Sequence, residues 1–136
     1  MHPQKVNIEK LLHYNLEPNV YSIHLLTAFI EKATALNIKD YPIHIKFNTG
    51  LNRLGFIEKD ISEIATIINK QTALKVVSVF SHVAASEDLD ERAFTLQQIA
   101  TFKSLSAKFI GKLPNTPFKH MLNTSGIINY AEEAQF

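Results

Sequence analysis

The chain has 136 residues, 46% of them hydrophobic, with 14 basic against 13 acidic side chains and no cysteine. Its length fits one domain or part of one. The near-neutral charge gives no basic stripe for nucleic acid, and the lack of thiols excludes disulfides and thiolate metal sites. No apolar run reaches the length of a membrane span, and Met1-His2-Pro3-Gln4-Lys5 lacks the apolar stretch of a secretory leader. A cytoplasmic chain with neither a nucleic-acid nor a membrane partner is expected.

In chain order, residues 6 to 13 predict a short helix, and Val20-Tyr21 a brief strand after Pro18. Ile23, Leu26, Ile30 and Ala33 recur at helical spacing, with Leu36 on the flank of the same face. Tyr41 to Phe47 alternates like a strand and ends in the turn signal Asn48-Thr49-Gly50. Asp60, three residues before Glu63, marks a helix start, followed by the apolar stripe Ile61, Ile64, Ala65 and Ile68. Residues 74 to 82, LKVVSVFSH, are almost continuously apolar and rich in β-branched side chains, as in a strand buried on both faces. Asp88 and Glu91 open another helix, with Ile99, Phe102, Leu105 and Phe109 along one side. Phe118 to Leu122 is a last short strand, and Asn123-Thr124-Ser125-Gly126 leads into an apolar turn. Strand and helix alternate, with enough chain between strands for crossover helices, so the sheet should be parallel, open or closed into a barrel.

In parallel α/β folds, chemistry gathers in the loops after the C-terminal ends of strands. The polar clusters fall there: Lys46 to Arg53 after one strand, Ser81-His82 with Glu87-Asp88 after the next, and residues 123 to 126 after the last. Each has an ordinary reading and a functional one. Lys46 is a solvated strand residue or a site residue, and Arg53 a surface loop residue or a ligand-binding one. His82 is a satisfied core histidine or a pocket hydrogen-bonding group. Residues 123 to 126 form a helix cap or an anion site of backbone N–H groups and hydroxyls. Their joint placement favours a phosphate-bearing ligand. Gly50 and Gly55 fit neither a Rossmann nor a P-loop pattern. His2, His13, His24, His44, His82 and His120 show no metal-ligand spacing. His24 reads as a helix-face residue and His44 as an outer-face strand residue.

Four stretches together resemble the alanine racemases. HIKFNTGLNRLGF, residues 44 to 56, is similar to that family's h-h-K-h-D-T-G-M-x-R-L-G-h, where h is apolar. VFSHVAASED, residues 79 to 88, resembles its T-H-F-A-x-A-D segment, with Gln97 and Phe102 where the next helix carries Q and F. HMLNTSGIINY, residues 120 to 130, resembles its N-S-[AS]-[AG] stretch, and LEPNVYSIHLL, residues 16 to 26, its L-x-P-x-V-Y-S. Asn48 stands where the family has Asp, Leu51 replaces Met, and the residues around His82 differ in order.

The resemblance implies a fragment, residues 1 to 136, of the family's N-terminal (β/α)8 TIM-type barrel, a fold that needs roughly 250 residues. It implies pyridoxal 5'-phosphate as cofactor, alanine as substrate, conversion between its L and D forms for peptidoglycan synthesis, and a homodimeric parent, in some bacteria fused to a ligase. Lys46 matches a lysine that is often carbamylated. Arg53 matches the arginine that this carbamate holds against the cofactor's phenolic oxygen. His82 matches the histidine beside the pyridine ring, and Asn123-Thr124 the residues at the cofactor phosphate. The family's cofactor lysine and catalytic tyrosine have no counterpart here, so the isolated chain is expected to be inactive. A module of another class, binding a phosphorylated ligand without catalysis, is the alternative.

Overall fold

The computed structural model describes residues 5–134. Met1 to Gln4, whose polar character argued against a leader, lie outside the described residues. A 3-10 turn, Lys5–Asn7, runs into α1, Ile8–His13, and the chain then alternates through β1 Asn19–Val20, α2 Ile23–Ala35, β2 Tyr41–Lys46, α3 Ile61–Asn69, β3 Leu74–Phe80, α4 Arg92–Ile110, β4 Phe118–His120 and α5 Thr124–Tyr130. The four strands form one sheet in the order β1-β2-β3-β4, and every neighbouring pair is parallel. This is four consecutive units of a partial TIM-type barrel. No helix among the described residues is long and apolar enough to cross a membrane.

One sheet face is covered by helices and the other is open. On the covered face Ile43, Ile45 and Phe47 alternate along β2, and all three are fully buried. Phe47 meets Phe109 of α4 edge to face, with centroids 5.6 Å apart. The stripe Ile61, Ile64, Ala65 and Ile68 supplies α3's buried side, as does Ile99, Phe102, Leu105 and Phe109 for α4. On the open face the last strand is bare: Phe118 is 81% exposed. Leu36, expected on the buried flank of α2, is instead 52% exposed beyond the helix end.

A β-bulge sets which β3 residues face which way. Ile43 pairs with Val76, but His44 pairs with Ser78, leaving Val77 as an extra residue. Val76 and Val79, three apart, therefore both enter the core, where unbroken alternation would have put Val79 on the opposite face.

Helix α2 starts where the sequence provides a cap. Ser22 has extended backbone, and its Oγ accepts the Leu25 N–H at 3.3 Å. Ser22→Ala should cost about 1 kcal/mol, read as a lower urea midpoint with an unchanged m-value. An unaltered midpoint would show that packing alone holds this start. Helix α4 begins at Arg92, later than expected from Asp88. The Asp88 carboxylate instead accepts the Asp90 N–H at 2.9 Å in a local turn, and Glu91 at the helix start makes no side-chain cap bond.

Candidate functional site

Strand β2 ends on Lys46, and the chain then folds back on itself. Asn48 N–H donates to the Phe56 carbonyl and Phe56 N–H to the Lys46 carbonyl, both at 2.9 Å. The closure demands Gly55: its φ is +136°, and a Cβ there would lie 2.5 Å from the Asn48 nitrogen. Inside the loop Asn48 Oδ1 accepts the N–H groups of Gly50 (3.1 Å) and Asn52 (3.0 Å). The Asn48 amide also donates to Asn52 Oδ1 at 3.0 Å. An aspartate could make the first two bonds but could not donate the third. Asn52 takes a left-handed conformation, φ 56°, which asparagine tolerates. Arg53 follows it and is delivered, exposed, over the strand end.

The loop after β3 is tied down from behind. Ser81 Oγ donates to the Phe47 carbonyl at 2.8 Å, so Thr49 donates its hydroxyl to Ser81, also at 2.8 Å. Gln98 of α4, fully buried, accepts the Ala84 N–H at 2.9 Å and donates to the His82 carbonyl at 3.5 Å. Gln98 was not anticipated; the neighbouring Gln97 drew the sequence comparison, but it is exposed. Only helical phase against the core separates the two.

Lys46, Arg53 and His82 share one electrostatic environment. Burial, then the Arg53 guanidinium, lowers the Lys46 pKa. Burial, then Lys46 and Arg53, lowers that of His82, against a smaller upward pull from Glu87. Lys46 is 6% exposed, and no carboxylate among the described residues forms an ion pair with it. Its ammonium lies 5.8 Å from the centroid of the Phe80 ring. A buried lysine within the field of an arginine, with no ion-paired carboxylate among the described residues, can attract an anion.

Asn123 and Thr124 sit one strand further along the same sheet edge. Asn123 caps α5: its Oδ1 accepts the Gly126 N–H at 2.8 Å and the Ser86 hydroxyl at 2.7 Å. The cap reading of this segment is therefore realised, and the Asn123 oxygen is committed to it. The Thr124 side chain is exposed in the first turn of α5. Ser86, fully buried, joins this segment to the loop carrying His82, and Asn129 Nδ2 donates to the Ser86 carbonyl at 2.9 Å. Cations, a hydroxyl and a helix start thus line one edge, a donor set that fits an anionic ring bearing a phosphate.

The family described as alanine racemase, N-terminal domain, matches residues 1–136. An alanine racemase of Treponema denticola is 33% identical over 98% of this chain and 35% of its own length. Among solved structures, the alanine racemase of Clostridium difficile 630 in complex with cycloserine superposes with a TM-score of 0.87 at 22% identity, over 98% of this chain and 36% of that one. The alanine racemase of Bartonella henselae with covalently bound pyridoxal phosphate gives a TM-score of 0.72 at 23% identity, over 92% and 34%. The chain spans about a third of the length of these relatives. With its four motifs, parallel barrel units and whole-length family match, it belongs to the alanine racemase N-terminal domain family.

Proposed function

We propose that this chain is the cofactor-holding part of an enzyme that interconverts L- and D-alanine with pyridoxal 5'-phosphate. The observation that carries this is the convergence of Lys46, Arg53 and His82, with no ion-paired carboxylate among the described residues, on the strand edge where Thr124 also lies. When bound, pyridoxal phosphate supplies an electron sink that acidifies the substrate's α-hydrogen. The residues of this chain bind and orient it. The Arg53 guanidinium would hold an anionic oxygen on the cofactor ring, His82 would pack beside the ring, and the Thr124 hydroxyl with the Asn123 amide would hold the phosphate.

Lys46 is proposed to be carbamylated. Its neutral amine adds carbon dioxide and releases one proton, leaving an anionic carbamate that pairs with Arg53. Burial and Arg53 both favour the neutral amine that this addition needs. The groups that move the α-proton are assigned to other parts of a homodimeric, cytoplasmic parent that supplies D-alanine for peptidoglycan. A ligase fused to that parent would use the same product. Residues 1 to 136 alone would bind without racemising.

The test expresses the longer reading frame containing this chain and follows the conversion of L- to D-alanine with pyridoxal phosphate. Turnover is expected from the longer protein and not from residues 1 to 136. Cofactor binding without turnover in the longer protein would transfer the site to a non-catalytic module for phosphorylated ligands.

A further inference from the structure

Arg53 and His82 sit on loops that leave different strands. The loop after β2 carries Arg53, and the loop after β3 carries His82. The ladder between the two strands closes with the Phe47 N–H donating to the Phe80 carbonyl at 2.8 Å. Past that point each loop would move by itself unless side chains join them.

Two buried contacts do so. The first is a hydroxyl pair. Ser81 spends its hydrogen on the Phe47 carbonyl, so the Thr49 hydroxyl must donate to Ser81 Oγ. Both side chains are buried. The second contact is Gln98 of α4. The Ala84 N–H can only donate, so the atom it meets at 2.9 Å is the amide oxygen, which settles how the Gln98 amide is turned. Its Nε2 is left facing the His82 carbonyl, at a long 3.5 Å. The stem of the same side chain lies against the other loop. A Cβ on Gly50 would be 3.5 Å from Gln98 Cγ and 3.2 Å from the Phe94 ring. The Gly50 N–H in turn donates to Asn48 Oδ1, which also takes the N–H of Asn52, next to Arg53. None of these bonds involves a group that titrates near neutral pH.

We infer that Gln98 and Thr49 are positioning residues that join the Arg53 loop and the His82 loop into one unit. The spacing between the guanidinium and the imidazole is thereby set before a ligand arrives. Loops ordered in advance do not have to be ordered on binding, a step that otherwise costs affinity. The inference rests on the cofactor-site reading above for what the two groups do, and on the contacts alone for how they are held.

The test follows the titration of His82 by NMR on the protein labelled at histidine, without pyridoxal phosphate. Burial, then Lys46 and Arg53, hold the His82 pKa down, and Glu87 pulls it up. Arg53→Ala removes one of these cations, so the His82 pKa should rise. The same rise should be at least about halved when Arg53→Ala is made in Gln98→Met or in Thr49→Val, because the freed loops part. Both replacements keep the approximate volume and lose the polar bonds. Thr49→Ser, which keeps the hydroxyl, should give the full rise. If Gln98 and Thr49 were merely structural, their replacement would lower the unfolding midpoint and leave the rise undiminished, and that result would overturn the inference. So would the absence of any rise in the wild-type background. If Gln98→Met does not fold, Thr49→Val and Thr49→Ser decide. Failure to bind pyridoxal phosphate would count against the proposed function and leave the coupling result standing.

Discussion

Gly55→Ala should lower the thermal midpoint by about 15 °C and abolish cofactor binding. A Cβ at this position would sit 2.5 Å from the Asn48 nitrogen and 2.7 Å from the Phe47 carbonyl carbon. Both are backbone atoms, so no side-chain rotation relieves the contact. The φ of +136° adds about 1–3 kcal/mol of strain for any residue with a Cβ. The two hydrogen bonds closing the loop, Asn48 to Phe56 and Phe56 to Lys46, would stretch or break at about 1 kcal/mol each. The sum, about 4 kcal/mol, is a large part of a small domain's stability. Gly50→Ala is the control. Its φ is also positive, but a Cβ there meets the movable ring of Phe94 at 3.2 Å, so its effect should be smaller. Differential scanning calorimetry on both variants decides the matter. Equal midpoints would show that the loop relaxes around Gly55 and that Arg53 is not held by it.

Arg53→Ala should weaken pyridoxal phosphate binding by about 10- to 100-fold, the worth of one charge-assisted hydrogen bond. Arg53→Lys should recover little, because an ammonium does not reproduce the planar fork of the guanidinium. Fluorescence titration with the cofactor reads both, and an Arg53→Ala affinity equal to wild type would remove Arg53 from the site. Lys46→Met separates binding from stability. The pKa of Lys46 is lowered on folding, so between the folded and the ordinary value the unfolded chain binds more protons than the folded one, and below both the buried ammonium destabilises the fold in full. Met fills the same space without charge, so measured against the uncarbamylated protein, prepared free of carbon dioxide, the thermal midpoint should rise at neutral pH while cofactor affinity falls. The stability gap between the two proteins should narrow as pH rises toward the ordinary lysine pKa. If Lys46 carries a carbamate, the sign of the midpoint change reverses, since the substitution would then remove an ion pair with Arg53.

The fold was legible in the sequence wherever one face had to be apolar. Ile61, Ile64, Ala65 and Ile68 can form a stripe only on a helix, and Tyr41 to Phe47 alternates because one face meets the helices and the other does not. Lys46, Arg53, His82 and Thr124 stood out as candidates by position, since each lies at or after the C-terminal end of a strand in a parallel α/β pattern; their roles toward a cofactor are proposals. Features that depend on a partner distant in the chain were not. Gln98 rather than Gln97 faces the His82 loop because of where α4 packs. Asp88 is held in a turn, so α4 starts later. His44 could be assigned a face only once its register with β3 was known. His120, at the end of a three-residue strand, meets the Phe80 ring and the Ser78 hydroxyl only through its pairing with β3.

The bulge at Val77 works as a parity switch for everything after it. With Val77 paired regularly opposite His44, Ser78 and Phe80 would turn toward the helices, while Val79 would face the open side. Deletion of this one apolar residue would instead leave the strand regular, with Ser78 and Phe80 still on the open face and Val79 still in the core. The facing of β3 is thus encoded in which residue the pairing skips as much as in which residues the strand contains.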